Sequence, residues 1–281
     1  MQQTVSGKLK WIQSTQVISL IANLVKIFVL SSNPQVTKSL STKVGTSENI
    51  RLLSFNQWLA GLIDADGYFG LSQKGYGSLE ITMDIRDAKC LYKIKNMYGG
   101  SIKRRSGVHA LRYRLHAKDP LLNLLNNING ELKNPVRILQ FEKLCSHYKV
   151  ITKLPSPIIY NSNWVSGFFD GDGTVTLNNV NNQLTISFSQ KNSLLLDDIS
   201  KIHGGNVYPD RASNTFKLCI SKKEEVNNFL KYVKEYPCYS LKINRLHLIP
   251  QFYYIKSINK DNPALIKLLE NFHNKWNRYE G

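Results

Sequence analysis

The chain has 281 residues, 42% of them hydrophobic, enough to bury a real core and to exclude global disorder. Thirty-seven Lys and Arg stand against 20 Asp and Glu, a formal charge of +17, which argues against an enzyme confined to neutral small molecules and points to a polyanionic partner. Cys90, Cys145, Cys219 and Cys238 are scattered with no C-x-x-C pair, so neither a zinc knuckle nor a disulfide framework is expected and a reducing compartment fits.

Along the chain, the first apolar stretch is Val17 to Leu30. It is short and interrupted by Asn23 and Lys26, so no stable membrane span is expected there. Ser, Thr, Asn and Lys without periodicity follow from Ser31 to Asn49. Residues 1–50 read as an N-terminal tail that packs on the body or is processed away, with a signal peptide or a targeting helix as the alternatives, and a first folded unit is expected over 51–151.

That unit opens with an apolar, Gly-containing helix from Asn56 to Ala65. Two strands follow: Phe69 and Leu71 alternate with Tyr68, Gly70 and Ser72, and Leu79, Ile81, Met83 and Ile85 alternate with Glu80, Thr82, Asp84 and Arg86. Gly75-Tyr76-Gly77 supplies the turn between them. A helix from Asp87 to Met97 ends at Gly99-Gly100, strands follow at Ser101 to Arg105 and Ala110 to Leu115, and helices at Pro120 to Asn127 and Val136 to Lys149 complete the unit. Pro155 and Pro157 forbid a helix across 152–163, which reads as a linker.

The remaining residues, 164–281, repeat the pattern. Trp58-Leu59-Ala60-Gly61-Leu62-Ile63-Asp64-Ala65-Asp66-Gly67 aligns with Trp164-Val165-Ser166-Gly167-Phe168-Phe169-Asp170-Gly171-Asp172-Gly173. Gly99-Gly100 then aligns with Gly204-Gly205, and Leu111-Arg112-Tyr113 with Phe216-Lys217-Leu218. The expected fold class is α+β: two pseudo-symmetric α-β-β-α-β-β-α units, each an antiparallel sheet with helices on one face.

The polar face of each sheet is basic, aromatic and amide-rich. In the first unit it offers Tyr68, Ser72, Lys74, Thr82, Asp84, Arg86, Lys103, Arg105, Arg112 and Arg114; in the second, Thr174, Thr176, Asn178, Thr185, Ser187, Ser189, Tyr208 and Lys217. Such side chains read base edges or phosphates, and a β-ribbon fits the major groove of double-stranded DNA. Unequal halves suit an asymmetric site.

Asp66 and Asp172 each close a helix just before a Gly and the first strand, where unpaired carbonyls make the field negative. Carboxylates gathered there repel one another unless a cation neutralises them, and Mg2+ suits all-oxygen ligands. Gly61 and Gly167 would let the two motif helices touch along their backbones, setting Asp66 beside Asp172. Asp64 and Asp170 are expected to cap or to bond locally.

The two ten-residue blocks resemble the signature of the LAGLIDADG homing endonucleases, which Leu59-Ala60-Gly61-Leu62-Ile63-Asp64-Ala65-Asp66-Gly67 spells without a mismatch. The resemblance covers roughly residues 51–260 and is to the monomeric, two-motif branch. It implies a saddle of two sheets over a long DNA site, hydrolysis that depends on magnesium with manganese able to substitute, and a staggered cut leaving short 3′ overhangs. It also implies metal ligation by Asp66 and Asp172 with the carbonyls of Ala65 and Gly171, and an outer-shell glutamine matched by Gln190. In the first unit, Ile85 with Asp84 beside it stands at the matching place, so unequal cleavage sites are expected. A lysine that orders the water network is matched by Lys242 or Arg245 in one half and by Lys133 or Arg137 in the other. Leu79 to Ile85 and Gly99 to Lys103 resemble mitochondrial group I intron reading frames more narrowly, which implies a mitochondrial location, a tail continued from an upstream exon frame, and intron RNA as a second partner if the chain is also a maturase. A maturase that no longer cuts and a non-catalytic DNA-binding regulator are the competing readings; the intact acidic pair argues against both.

Overall fold

A computed structural model describes residues 47–259 and 261–279. The expectations for Val17 to Leu30 and for nearly all of the tail lie outside the described residues.

The first half consists of α1 (Ser47–Asp66), β1 (Gly67–Leu71), β2 (Gly77–Asp84), a 3-10 turn (Ile85–Asp87), α2 (Ala88–Tyr98), β3 (Ser101–Arg104), β4 (Ala110–Leu115), α3 (Lys118–Asn127) and α4 (Pro135–Tyr148). The second repeats it as α5 (Trp164–Asp172), β5 (Gly173–Asn178), β6 (Gln183–Gln190), α6 (Leu194–His203), β7 (Asn206–Asp210), β8 (Thr215–Ile220), α7 (Lys223–Glu235) and α8 (Lys242–Ser257), and adds α9 (Leu265–Asn277). The sheets are four-stranded and antiparallel, ordered β1-β2-β4-β3 and β5-β6-β8-β7. The segment between α4 and α5 carries no helix or strand.

Local chemistry explains the boundaries. Asn134 caps α4 by accepting the Val136 N–H at 3.1 Å, and Pro135 takes the first helical position, where no N–H is needed. Gly99 and Gly204 end α2 and α6 with φ of 73° and 79°, a conformation that suits glycine. Asp84 accepts the Arg86 N–H, so the chain after β2 turns through one 3-10 turn before α2 begins.

In each strand the alternation puts Leu79, Ile81 and Met83, or Leu184, Ile186 and Phe188, toward the helices and buries them. A one-residue slip would turn these side chains to the opposite face. The register also corrects the sequence alignment. Gly67 lies opposite Ile81 and Gly173 opposite Phe188, so Met83, not Ile85, stands where Gln190 stands. The β4 and β8 pairings agree, Met83 lying opposite Leu111 and Gln190 opposite Phe216. The two β-hairpins differ by one residue, a difference that a single offset conceals.

Candidate active site

α1 and α5 meet backbone to backbone. A Cβ on Gly61 would overlap the Trp164 carbonyl, and one on Gly167 would overlap the Trp58 carbonyl. Around that contact the first aspartate of each motif reaches across to the other helix: Trp58 Nε1 donates to Asp170 at 2.8 Å, and Trp164 Nε1 donates to Asp64 at 2.8 Å. Asp64 also accepts the Lys133 N–H at 2.6 Å, while Asp170 accepts the N–H groups of Tyr239 and Ser240 at 2.8 and 2.9 Å and the Ser240 hydroxyl. Both aspartates are therefore long-range clamps and not local caps. Each joins the opposite motif helix to the loop that launches a late helix of its own half. Burial pushes the Asp64 carboxyl up to about 7 against these donors, and it also raises that of Asp170.

The second aspartates converge at the helix ends. Gly171 packs against Ala65, and a Cβ there would also press on the Asp66 carboxylate. Burial raises the Asp172 carboxyl to about 7, and repulsion from Asp66 adds to it. Asp66 keeps an open side, yet burial raises its carboxyl too; Lys242 and Arg137 oppose that rise and Asp87 adds to it. Gln190 donates its amide to Asp172. Two carboxylates raised by burial at neighbouring helix C-termini, with the Ala65 and Gly171 carbonyls adjacent in the chain, form an oxygen donor set that fits a hard divalent cation. Among the described residues no three His, Cys, Asp or Glu side chains form a self-sufficient cage. A divalent cation held here would need further ligands from outside these side chains.

The structure separates the basic candidates. Lys242, at the start of α8, donates its ammonium to the carbonyls of Phe169, Asp170 and Gly171 at 3.2, 2.8 and 2.5 Å, neutralising the negative end of α5. Arg245 donates to the Val175 carbonyl at 2.9 Å and stacks over the Trp276 ring, so it braces β5 and α9. In the first half, the Lys133 ammonium is held by Gly130 and by Ser156 of the connecting segment. Arg137 is instead the cation felt by both Asp66 and Asp172.

Register sorts the predicted DNA-facing residues into rows across the sheets. Thr82, Arg112 and Lys103 form one row, and Tyr68, Glu80, Arg114 and Ser101 the next. Glu80, absent from the predicted set, takes Arg114 at 2.5 Å and Arg112 at 3.4 Å and fixes the fan of both guanidinium groups. Arg105 and Lys74 are exposed beyond the strand ends. Three expectations are modified. Asp84 and Arg86 pair with each other at 2.8 Å, so their charges largely cancel. Ser72 accepts the Tyr76 N–H and Asn178 the Val180 N–H, so both side chains shape hairpins. Ser187 lies on the outer face by parity but is fully buried, its hydroxyl 2.7 Å from that of Thr174, and it cannot reach a ligand. Ser189, Lys217 and Tyr208 form an outer row of the second sheet; Thr176 is exposed beside Thr185, and Asn206, overlooked from sequence, is exposed on the same face.

The sequence profile of the LAGLIDADG endonucleases matches residues 59–148 and 165–253, one copy in each half. The chain belongs to the LAGLIDADG endonuclease family. Among curated relatives, the LAGLIDADG chain is 39% identical over 264 residues to the intron-encoded RNA maturase bI4 of Saccharomyces cerevisiae, covering 90% of this chain and 41% of that protein. It is 36% identical to the probable intron-encoded endonuclease aI2 of Debaryomyces hansenii, covering 88% and 41%, and 35% identical to the intron-encoded DNA endonuclease ai2a of Dictyostelium discoideum, covering 79% and 74%. It thus spans less than half the length of the first two. Among solved structures, the LAGLIDADG homing endonuclease I-LtrWI bound to target DNA shares the fold, with a TM-score of 0.57 at 17% identity over 81% of this chain and 98% of that one. Among the described residues no helix is long and apolar enough to cross a membrane.

Proposed function

We propose that this chain is a site-specific endonuclease that hydrolyses one phosphodiester on each strand of a long, asymmetric DNA duplex to leave 3′ overhangs, and so promotes homing of a mitochondrial intron. The observation that carries the reading is the side-by-side placement of Asp66 and Asp172 at the ends of two packed helices, each of which leads directly into the first strand of a sheet with a basic and polar outer face. The chain acts as a monomer, because residues 51–151 and 164–281, joined through 152–163, supply both halves of the pseudo-twofold that a single-motif protein would need a partner to provide.

Asp66 and Asp172, with the Ala65 and Gly171 carbonyls, would hold the magnesium ions. Bound there, magnesium would lower the pKa of an attacking water and relieve charge on the phosphorus and the leaving oxygen. The remaining work falls to side chains. Gln190 fixes the Asp172 carboxylate, and Lys242 and Arg137 offset the charge of the paired carboxylates as a phosphate approaches. Arg112, Arg114 and Lys103 contact backbone or base edges, and Ser189, Thr176, Lys217 and Tyr208 do so on the other half-site.

The test is cleavage of a library of intron-insertion junctions by the purified chain, with magnesium or with chelator. A single asymmetric double-strand cut that requires metal and is lost in Asp66→Asn plus Asp172→Asn is the expected result; cutting that survives the double substitution would refute the mechanism. A second activity, assistance to splicing of its own group I intron, is favoured by the 39% identity to a protein named RNA maturase. Tight intron-RNA binding with no cut in any duplex would make it the primary function.

A further inference from the structure

The two halves are equipped differently. Met83 stands in the strand position of Gln190, so that position offers the first half no amide for its carboxylate. At the late helices, Asp64 accepts the N–H of Lys133 as Asp170 accepts that of Tyr239. Counting on from those anchors, Pro135 stands where Leu241 stands, and Val136 where Lys242 stands.

A contact between the halves reinforces the difference. Asp87 precedes α2 but makes no side-chain cap on it. Its carboxylate accepts the Leu241 N–H from the other half at 2.7 Å. The ammonium of Lys93, also on α2, lies 4.0 Å from the centre of the Tyr239 ring. Two side chains of the first half thus grip the three-residue segment 239–241 that delivers Lys242. The reciprocal grip is chemically closed: Ser193, the residue before α6, makes no side-chain cap bond, and Pro135 has no N–H to donate.

We infer that the two strands are cut in a fixed order, the Asp172–Gln190–Lys242 half acting first, with Asp87 as the positioning residue that keeps this half ahead. The inference rests on the endonuclease reading and adds the order of events at that site. A nicked duplex is then an obligatory intermediate, and the strand that remains is cut by the half lacking the amide and the lysine.

The experiment uses the full chain and its junction duplex, labelled with a different dye on each strand and started with Mg2+. One strand should be cut about tenfold or more ahead of the other, the size of effect that outer-shell ligand partners produce. Gln190→Met should slow only the fast strand and Met83→Gln should speed only the slow one. Asp87→Ala should slow the fast strand alone, and Asp87→Asn, whose amide oxygen still accepts an N–H, should restore it. In the metal-free protein, hydrogen–deuterium exchange at the Leu241 amide should quicken in Asp87→Ala and return in Asp87→Asn, a change that a general loss of fold would not confine to that amide. Equal strand rates in the unsubstituted protein, or an Asp87→Ala effect shared by both strands with unchanged Leu241 exchange, would overturn the order alone. Absence of any cut with Mg2+ would end the endonuclease reading and the order with it.

Discussion

Burial raises the carboxyls of both Asp66 and Asp172, that of Asp172 to about 7, with repulsion from Asp87 adding at Asp66 and repulsion from Asp66 adding at Asp172. A carboxyl whose folded pKa exceeds its unfolded value of 3.8 leaves the fold least burdened at low pH, and the burden grows as pH rises through the folded pKa. In metal-free buffer, Asp66→Asn plus Asp172→Asn is therefore expected to raise the melting temperature at pH 8, with little change at pH 4. A gain that did not depend on pH would show that the charges are not its source. Wild type should recover the same increment on adding magnesium at pH 8, and the double variant should not. Trp164 supplies the cross-helix donor to Asp64, so Trp164→Phe leaves a buried acceptor short of one bond. A loss of about 2 kcal/mol, the scale of a hydrogen bond to a charged group, is expected in denaturant titration.

Each motif helix is held by a contact that tolerates no side chain. Gly167→Ala would drive a Cβ into the Trp58 carbonyl, and since backbone on both sides must move, a loss of about 3 kcal/mol is expected from overpacking, together with lost cleavage because Asp172 shifts relative to Asp66. Cleavage at the wild-type rate would mean that the helices need not touch. At the end of α6, His203 is buried among Tyr160, Phe229 and Tyr232 with neither ring nitrogen bonded among the described residues, and burial lowers its pKa to about 4. A base with a depressed folded pKa supports the fold above its unfolded value of 6.5, and that support is lost as pH falls toward 4. His203→Phe should flatten the fall in melting temperature across that window, and an unchanged profile would assign acid sensitivity elsewhere.

For the whole molecule, the +17 charge and the rows of Arg and Lys on the first sheet predict steeply salt-dependent DNA binding. Substituting Lys103 by Gln should lower the log–log salt slope by about one unit if it meets a phosphate; an unchanged slope would return it to a solvated strand position. Glu80 alters the expectation for its neighbours. Because it already pairs with Arg112 and Arg114, Glu80→Gln should strengthen nonspecific binding while relaxing base preference, as the two guanidinium groups lose a fixed orientation.

The division between what was legible in the sequence and what was not follows the range of the interactions. Strand alternation, the Gly-Gly helix ends, the proline-bearing connection and the repeated acidic block are local patterns, and they were sufficient to recover the elements, the antiparallel sheets and the family. The pairing of Asp66 with Asp172 could be inferred because Gly61 and Gly167 leave so little choice about which helix faces meet. Register, by contrast, depends on hairpin length, so only the folded sheets show that Met83 replaces Gln190 and that Ser187 is shut inside its own row. The choice of Lys242 over Arg245, the cross-helix bonds of Asp64 and Asp170, and the grip of Asp87 on Leu241 join residues 70 to more than 150 positions apart. No pattern along the chain encodes such contacts, because their partners become neighbours only when the two halves pack.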